Sequence, residues 1–370
     1  MYMIKIAFTG GGTGGHIYPG LAVASYLQKQ THCQVFWIGS NKGMDKSIVE
    51  NAGIKFFGIP AGKLRRYFSL QNCLDIFKIV AGFFSARKIL KKEKPDLLFS
   101  KGGFVSVPPC AAASSLKIPV FTHESDFSPG LATKINLRFA QKIFVAYNET
   151  ANFLGETYKD KVIISGNPVR SEFRNADPLI GKKFLGIKEN ERILLILGAS
   201  QGAKQINDLV KQTLPELTKY YTVIHQIGPN TQWDLKNSEK YYSYPFFKEE
   251  MPHVLASAEI VLARSGAGTI WECATVGKPM ILIPLSGSGT RGDQVENAKF
   301  FEKAGAAINF TGDSVNPENL IRIISDIANN EEKRKNLANA SLKIGAQDCL
   351  QLIAETMLKT LEKTKTKENL

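Results

Sequence analysis

The residues of this 370-residue chain best suited to chemistry lie in loops that follow short apolar runs. Ile4 to Phe8 leads into Thr9-Gly10-Gly11-Gly12-Thr13-Gly14-Gly15, and a helix is expected to start near Pro19. So many small residues let peptide N–H groups approach an anion closely, at the positive end of a helix. A plain strand-to-helix turn would need only one or two glycines. Gly10, Gly12 and Gly15 also match the spacing of a dinucleotide fingerprint. That reading wants an acidic residue at the end of the second strand to hold a ribose, and here the strand ends Ile38-Gly39-Ser40. A P-loop wants Lys and Ser or Thr after its last glycine, where this chain has His16 and Ile17.

A second loop, Gly198-Ala199-Ser200-Gln201-Gly202-Ala203, echoes the first, with Ser200 and nearby amides placed to hold another phosphate. The run Arg264-Ser265-Gly266-Ala267-Gly268-Thr269-Ile270-Trp271-Glu272 reads as a strand end, a turn and a helix starting near Thr269. Glu272 would then lie in the first helical turn, where its carboxylate can accept two hydrogen bonds from a ribose diol. A partner for the helix dipole is the plainer alternative. Thr290 to Ala298 sets polar groups suited to sugar hydroxyls, Gln294 among them, at another helix start.

These loops need elements to hold them. Ile4–Phe8, Gln34–Ile38, Leu97–Ser100, Val120–Thr122, Lys142–Ala146 and Val162–Ser165 read as buried strands. The pattern restarts with Arg192–Leu197, Thr222–Gln226, Ile260–Ala263, Met280–Pro284 and Ala306–Asn309. Helix-length segments separate them, which predicts two α/β, Rossmann-like units with parallel sheets. Glycine and proline at Gly166-Asn167-Pro168 mark the boundary. The expected domains are 1–165, 166–345, and a C-terminal helix and tail over 346–370, frayed from Lys359 onward. Loops facing each other from two sheets would form a cleft, the usual ligand site in such folds.

A composition of 44% hydrophobic and 22% charged residues is that of an ordinary soluble protein. The net charge of +13 favours acidic partners. Cys33, Cys73, Cys110, Cys273 and Cys349 are scattered, so neither a zinc site nor a redox pair is expected. Without a signal peptide or an apolar span the chain is expected in the cytoplasm.

Taken in order, Thr9 to His16, Lys101 to Pro108, His123-Glu124, Gly166 to Arg170, Ser200 to Gly202, Arg264 to Gly266 with Glu272, and Gln294 with Asn297-Ala298 resemble the MurG family. Its members are UDP-GlcNAc:undecaprenyl-pyrophosphoryl-N-acetylmuramoyl-pentapeptide N-acetylglucosaminyltransferases of peptidoglycan synthesis. The resemblance covers nearly the whole chain and implies a glycosyltransferase B type fold, UDP-GlcNAc as donor, a lipid-pyrophosphate acceptor and no cofactor. It further implies that Glu272 binds ribose, backbone near Lys248 the uracil, Ser200 and Arg170 the diphosphate, and Gln294 the GlcNAc hydroxyls. Thr13, Gly14 and Gly15 would complete the donor site, and His123 and Glu124 would lie on the acceptor side. The chain departs from the family pattern at Asp126, where an Asn is often found, and at Phe104, where some relatives carry Tyr.

Transfer to a hydroxyl needs a base and positive charge for the departing diphosphate. The sequence has no Asp-x-Asp that would hold a metal, so helix ends, loop amides and Arg170 would replace the cation. His16 is the expected base, with His123 and Glu124 as alternatives. In-line displacement would invert the sugar.

One more segment stands out. Nine Lys or Arg against Asp75 and Glu93 give residues 63–94 a net charge of +7. Leu70, Leu74, Phe77, Ala81 and Phe84 line one helical face and Cys73, Ile76, Val80 and Phe83 an adjacent one, wider than an ordinary surface helix shows. With Arg65, Arg66, Arg87, Lys88, Lys91 and Lys92 beside it, the patch fits an anionic membrane surface at the cytoplasmic face. A buried helix is the alternative. Nucleic acid is not the expected partner, since no binding module accompanies the charge.

Overall fold

The computed structural model describes residues 3–62, 70–198, 202–287 and 290–368. Near-continuous apolar runs become strands buried on both faces, the pattern of parallel sheets covered by helices. The chain divides into two compact units, Met1–Arg170 with Asp348–Leu370, and Ser171–Gln347.

The first unit holds β1 (Ile4–Thr9), β2 (Cys33–Ser40), β3 (Lys55–Ile59), β4 (Leu97–Ser100), β5 (Val120–Glu124), β6 (Lys142–Val145) and β7 (Val162–Ile164). They form one sheet in the order β3-β2-β1-β4-β5-β6-β7. The second unit holds β8 (Ile193–Leu197), β9 (Thr222–Gln226), β10 (Tyr241–Tyr244), β11 (Ile260–Ala263), β12 (Met280–Leu282) and β13 (Ala307–Asn309), ordered β10-β9-β8-β11-β12-β13. Every ladder in both sheets is parallel. Strand order reverses between β1 and β4 and again between β8 and β11. Loops leaving those strand ends diverge, which is where open α/β sheets bind ligands. The fold is thus α/β with two Rossmann-like units, as the strand pattern predicts.

Two strands escape the sequence pattern, β3 and β10, and both are sheet edges. Two helices start earlier than expected. The first runs Gly14–Gln30 with Pro19 inside it, and another runs Ala267–Val276, so Glu272 stands in the second turn rather than the first. First-turn N–H groups have no helical partner in any case, so small residues can open a helix where a proline or threonine would be read as its start.

The C-terminal helix expected within 346–370 is present, and it continues past Lys359, the expected start of fraying. A helix spans Cys349–Glu368, and its Leu350, Ile353, Ala354, Met357 and Leu361 join the core formed by Phe8, Trp37, Phe99 and Phe144. Those positions recur at helical spacing, so the amphipathic face is what keeps the helix formed.

The Leu70–Glu93 helix turns Gly82, Ala86 and Leu90 inward. Its opposite face shows Ile76 (51% exposed), Phe77 (73%), Val80 (49%) and Phe84 (64%) to solvent, which overturns the alternative of a buried helix. Lys63, Arg65 and Arg66, and the side chains of Leu70, Cys73 and Leu74, lie outside the described residues. Among the described residues no helix is long and apolar enough to cross a membrane.

Candidate functional site

In the first unit the glycine loop is held from below by two buried side chains. Trp37 Nε1 donates to Gly10 O at 3.0 Å. Asp45 accepts from Gly12 N–H at 2.9 Å with one carboxylate oxygen and from Ser40 N–H at 3.0 Å with the other. A Cβ on Gly11 would fall 1.9 Å from the same carboxylate, so glycine is obligatory there. With the N–H of Gly12 committed to Asp45 and that of His16 to Thr13 O, the amides of Thr13, Gly14 and Gly15 are the candidates for an anion.

His16 sits half-buried in the first turn of the Gly14–Gln30 helix. Its ring packs on the loop after β4, where a Cβ on Gly103 would come within 2.9 Å of Cδ2. Gly102 and Gly103 have φ of 83° and 76°, the left-handed region where glycine belongs. Phe104 closes over the first loop, 2.6 Å from where a Gly12 Cβ would stand. The two loops at the β1/β4 switch point therefore interlock through small residues.

The next loop follows β5. Glu124 is buried, and its carboxylate accepts from the N–H groups of Ser125, Asp126 and Gly130 and from Thr133 Oγ1, at 2.9, 3.0, 3.0 and 2.6 Å. All its lone-pair positions are thereby spent on shaping this loop. His123 is fully buried with Nε2 2.9 Å from Gly166 O. Burial, aided by the Lys101 charge, pushes its pKa well below the usual histidine value. Neither residue of the pair is thus presented as a proton acceptor. Asp126 is half-buried beside them.

In the second unit the turn after β8 is tight, since a Cβ on Gly198 would fall 2.5 Å from Ala203 N. Ser200 lies outside the described residues. After β11, the buried Arg264 donates through Nη1 to Gln205 Oε1 and Ile283 O at 2.9 and 3.0 Å, and burial lowers its pKa. Ser265 Oγ donates to Gln294 O at 2.7 Å, and Asn297 Nδ2 donates to Ser265 O at 3.2 Å. Gln294 Oε1 accepts from Leu285 N–H at 3.0 Å, which leaves the NH2 end of that carboxamide as the donor it can offer. Glu272 is half-buried on the Ala267–Val276 helix. Lys248 is exposed, its N–H donating to Glu250 Oε2 at 3.2 Å. The neighbouring Phe247 is buried against Tyr244, ring centroids 4.7 Å apart. Arg170 is half-buried at the end of the first unit's main segment.

The geometry thus brings Thr13, Gly14, Gly15 and His16 together with the loop after β4, and Gln294 together with the loop after β11. Sequence reasoning missed Asp45 and gave no holding role to Lys101, the Ser125–Asn167 pair or the Arg264–Gln205 bond, which hold these loops. Among the described residues no group of His, Cys, Asp or Glu could hold a metal ion.

Two parallel-stranded units with loops at both switch points match two family models: the glycosyltransferase family 28 N-terminal domain over residues 6–145 and its C-terminal domain over 193–353. The chain is therefore a two-domain family 28 glycosyltransferase. Treponema denticola has a protein 50% identical over 95% of this chain and 96% of its own, named UDP-N-acetylglucosamine--N-acetylmuramyl-(pentapeptide) pyrophosphoryl-undecaprenol N-acetylglucosamine transferase. A Treponema pallidum protein of the same name is 42% identical over 95% of this chain and 94% of its own. The crystal structure of Acinetobacter baumannii MurG superposes with a TM-score of 0.71 at 26% identity, covering 96% of this chain and 99% of that one. Within family 28, this chain belongs to the MurG family. A UDP-GlcNAc 2-epimerase from Neisseria meningitidis, solved with UDP-GlcNAc bound, shares the fold at a TM-score of 0.68 and 18% identity, covering 96% of this chain and 100% of that one.

Proposed function

We propose that this chain transfers GlcNAc from UDP-GlcNAc to the muramoyl hydroxyl of undecaprenyl-pyrophosphoryl-MurNAc-pentapeptide, forming lipid II. What carries the reading is the 50% identity to a transferase of that name across 95% of the chain. In it the donor is held by the following groups. Glu272 accepts from the ribose diol, the backbone near Lys248 meets the uracil, Ser200 and Arg170 hold the diphosphate, and the Gln294 amide donates to the sugar hydroxyls. Gln294 supports this by having its other end fixed by Leu285 N–H.

The first unit binds the acceptor. Thr13, Gly14 and Gly15 offer N–H groups to phosphate oxygens at a helix N-terminus, completing the donor site and facing the acceptor pyrophosphate, and Asp126 lies one loop away. His16 takes the proton of the attacking hydroxyl. The two alternative bases are weaker on geometry, because His123 is buried and Glu124 is surrounded by donors. Displacement in line then inverts the anomeric carbon, and UDP departs against peptide N–H groups and Arg170 without a divalent ion.

The acceptor is anchored in lipid, so the enzyme works at a surface. Ile76, Phe77, Val80 and Phe84 form an exposed apolar strip, and Lys88, Lys91 and Lys92 follow on the same helix. Apolar insertion next to cations suits an anionic leaflet. We assign it to peripheral docking on the cytoplasmic face of the membrane.

The test is transfer of radiolabel from UDP-GlcNAc to a lipid-pyrophosphate acceptor, with and without EDTA. Turnover should survive EDTA, collapse in His16→Ala with UDP still bound, and need far more donor in Glu272→Ala. Unchanged kinetics in both variants would reject the site assignment, and absence of transfer by the wild type would reject the function.

A further inference from the structure

Lys101 is 1% exposed, at the carboxyl end of β4. An ammonium is rarely buried unless a carboxylate pairs with it. Here its Nζ donates to Ser125 Oγ, a neutral oxygen. The nearby Glu124 carboxylate is already filled by four other donors. The arrangement is expensive for stability alone, and apolar packing would be cheaper.

What the ammonium touches explains its place. Ser125 Oγ, accepting from Lys101, donates onward to Asn167 Oδ1 at 2.7 Å. The backbone N–H of Lys101 donates to Thr9 O at 2.8 Å, at the start of the first glycine loop. Its own chain continues into Gly102 and Gly103, against which His16 packs. Next to Asn167, Gly166 O is held by His123 Nε2 at 2.9 Å and by the Cys349 thiol at 3.4 Å. One buried residue therefore ties the glycine loop through its backbone N–H, and the loop after β5 and Gly166-Asn167 through its side chain and Ser125, into a single polar network.

We infer that Lys101 is a positioning residue for the transfer reaction: through Ser125 and Asn167 it fixes the segment carrying Arg170, and with it the diphosphate end of the donor. The inference rests on the reading above, in which Arg170 grips that diphosphate. Bonds to a charged donor are about twice as strong as neutral ones, which is the gain an ammonium offers here over a neutral donor, and a methyl group would offer no bond at all. Around it, Glu124, Asp126 and Cys349 favour the charged form, and His123 beside it is neutral. Burial outweighs them and lowers its pKa to about 8. The charge is then shed as the pH climbs past that value.

The test uses the full chain and UDP as probe. Lys101→Met keeps the volume and removes the ammonium. Ser125→Ala removes the relay and keeps Lys101. Each should weaken UDP binding about tenfold, and the double variant should bind no worse than either single one, because both cut the same chain. Wild-type affinity for UDP should also fall as pH rises through about 8, while that of Lys101→Met stays flat. A lowered melting temperature with unchanged UDP affinity would make the network structural only and overturn the inference. So would losses that multiply in the double variant. If Lys101→Met does not fold, Ser125→Ala decides alone. A wild type that transfers GlcNAc beside a Lys101→Met of equal affinity sinks only this inference. A wild type that binds no UDP sinks the functional reading and this with it.

Discussion

Replacing Asp45 with Asn isolates the carboxylate beneath the glycine loop. The two side chains have the same shape, and the site is fully buried. In the native loop each carboxylate oxygen accepts one backbone N–H, from Gly12 at 2.9 Å and Ser40 at 3.0 Å. An Asn keeps one acceptor and turns an NH2 toward the other N–H, leaving a buried donor unpaired at about 1–3 kcal/mol. The surviving bond also loses its charge assistance, worth about another 1 kcal/mol. The expected loss is then about 2–4 kcal/mol, or roughly 6–12 °C in apparent melting temperature at about 3 °C per kcal/mol. Thermal unfolding with and without UDP-GlcNAc measures it, and transfer kinetics show whether the loop keeps its working shape. Gly11→Ala should not add its full effect to Asp45→Asn, since its Cβ would collide with the same carboxylate. A melting temperature within about 2 °C of wild type, or strict additivity of the two changes, would refute the idea that Asp45 sets the loop.

Further outcomes follow from other parts of the molecule. Glu124→Gln should destabilise the chain by about 2–4 kcal/mol, because an amide cannot accept from all four donors; denaturant unfolding measures it. The pH profile of the turnover that remains should keep its shape, and loss of its acidic limb would instead make Glu124 the base. Lys101 has a folded pKa of about 8 against the ordinary 10.5, so the folded state sheds its proton first. Its contribution makes stability rise between those two pH values. Buried thiols such as Cys110, pushed up to about 12, act in the opposite sense at alkaline pH, so the measurement is the difference between wild type and Lys101→Met in urea unfolding across that range. Phe77→Asp with Phe84→Asp should cut binding to anionic vesicles at least about tenfold and slow transfer to a long-chain acceptor. UDP affinity should not change, and full vesicle binding by this variant would remove the strip from the docking role.

The sequence made legible whatever rests on two-sided burial. Leu97 to Ser100 and Ile260 to Ala263 are strands at the limits their apolar runs imply, because a central parallel strand must be apolar on both faces. The edge strands β3 and β10 were not legible, since an edge needs less burial, and Tyr241 to Tyr244 reads as readily as loop. The glycine loops stand out by composition. Their supports do not: Asp45 lies in a polar stretch without period, and its role depends on the fold bringing it under Gly12. Lys101 resembles any loop lysine until β4 and β5 are aligned and Ser125 meets it. The C-terminal helix was half legible, its apolar spacing visible but its core partners, Phe8 and Trp37, lying more than three hundred residues away in the chain.

That last packing has a bearing on synthesis. The Cys349–Glu368 helix supplies Ile353, Met357 and Leu361 to the same core as β1, and residues 171–347 are translated before it. The amino-terminal half must therefore wait on the ribosome with one flank of its core bare, while the intervening half emerges and can complete its own sheet. A nascent chain halted before Cys349 should expose that flank to chaperones and proteases. Supplying the missing helix as a separate peptide should protect it.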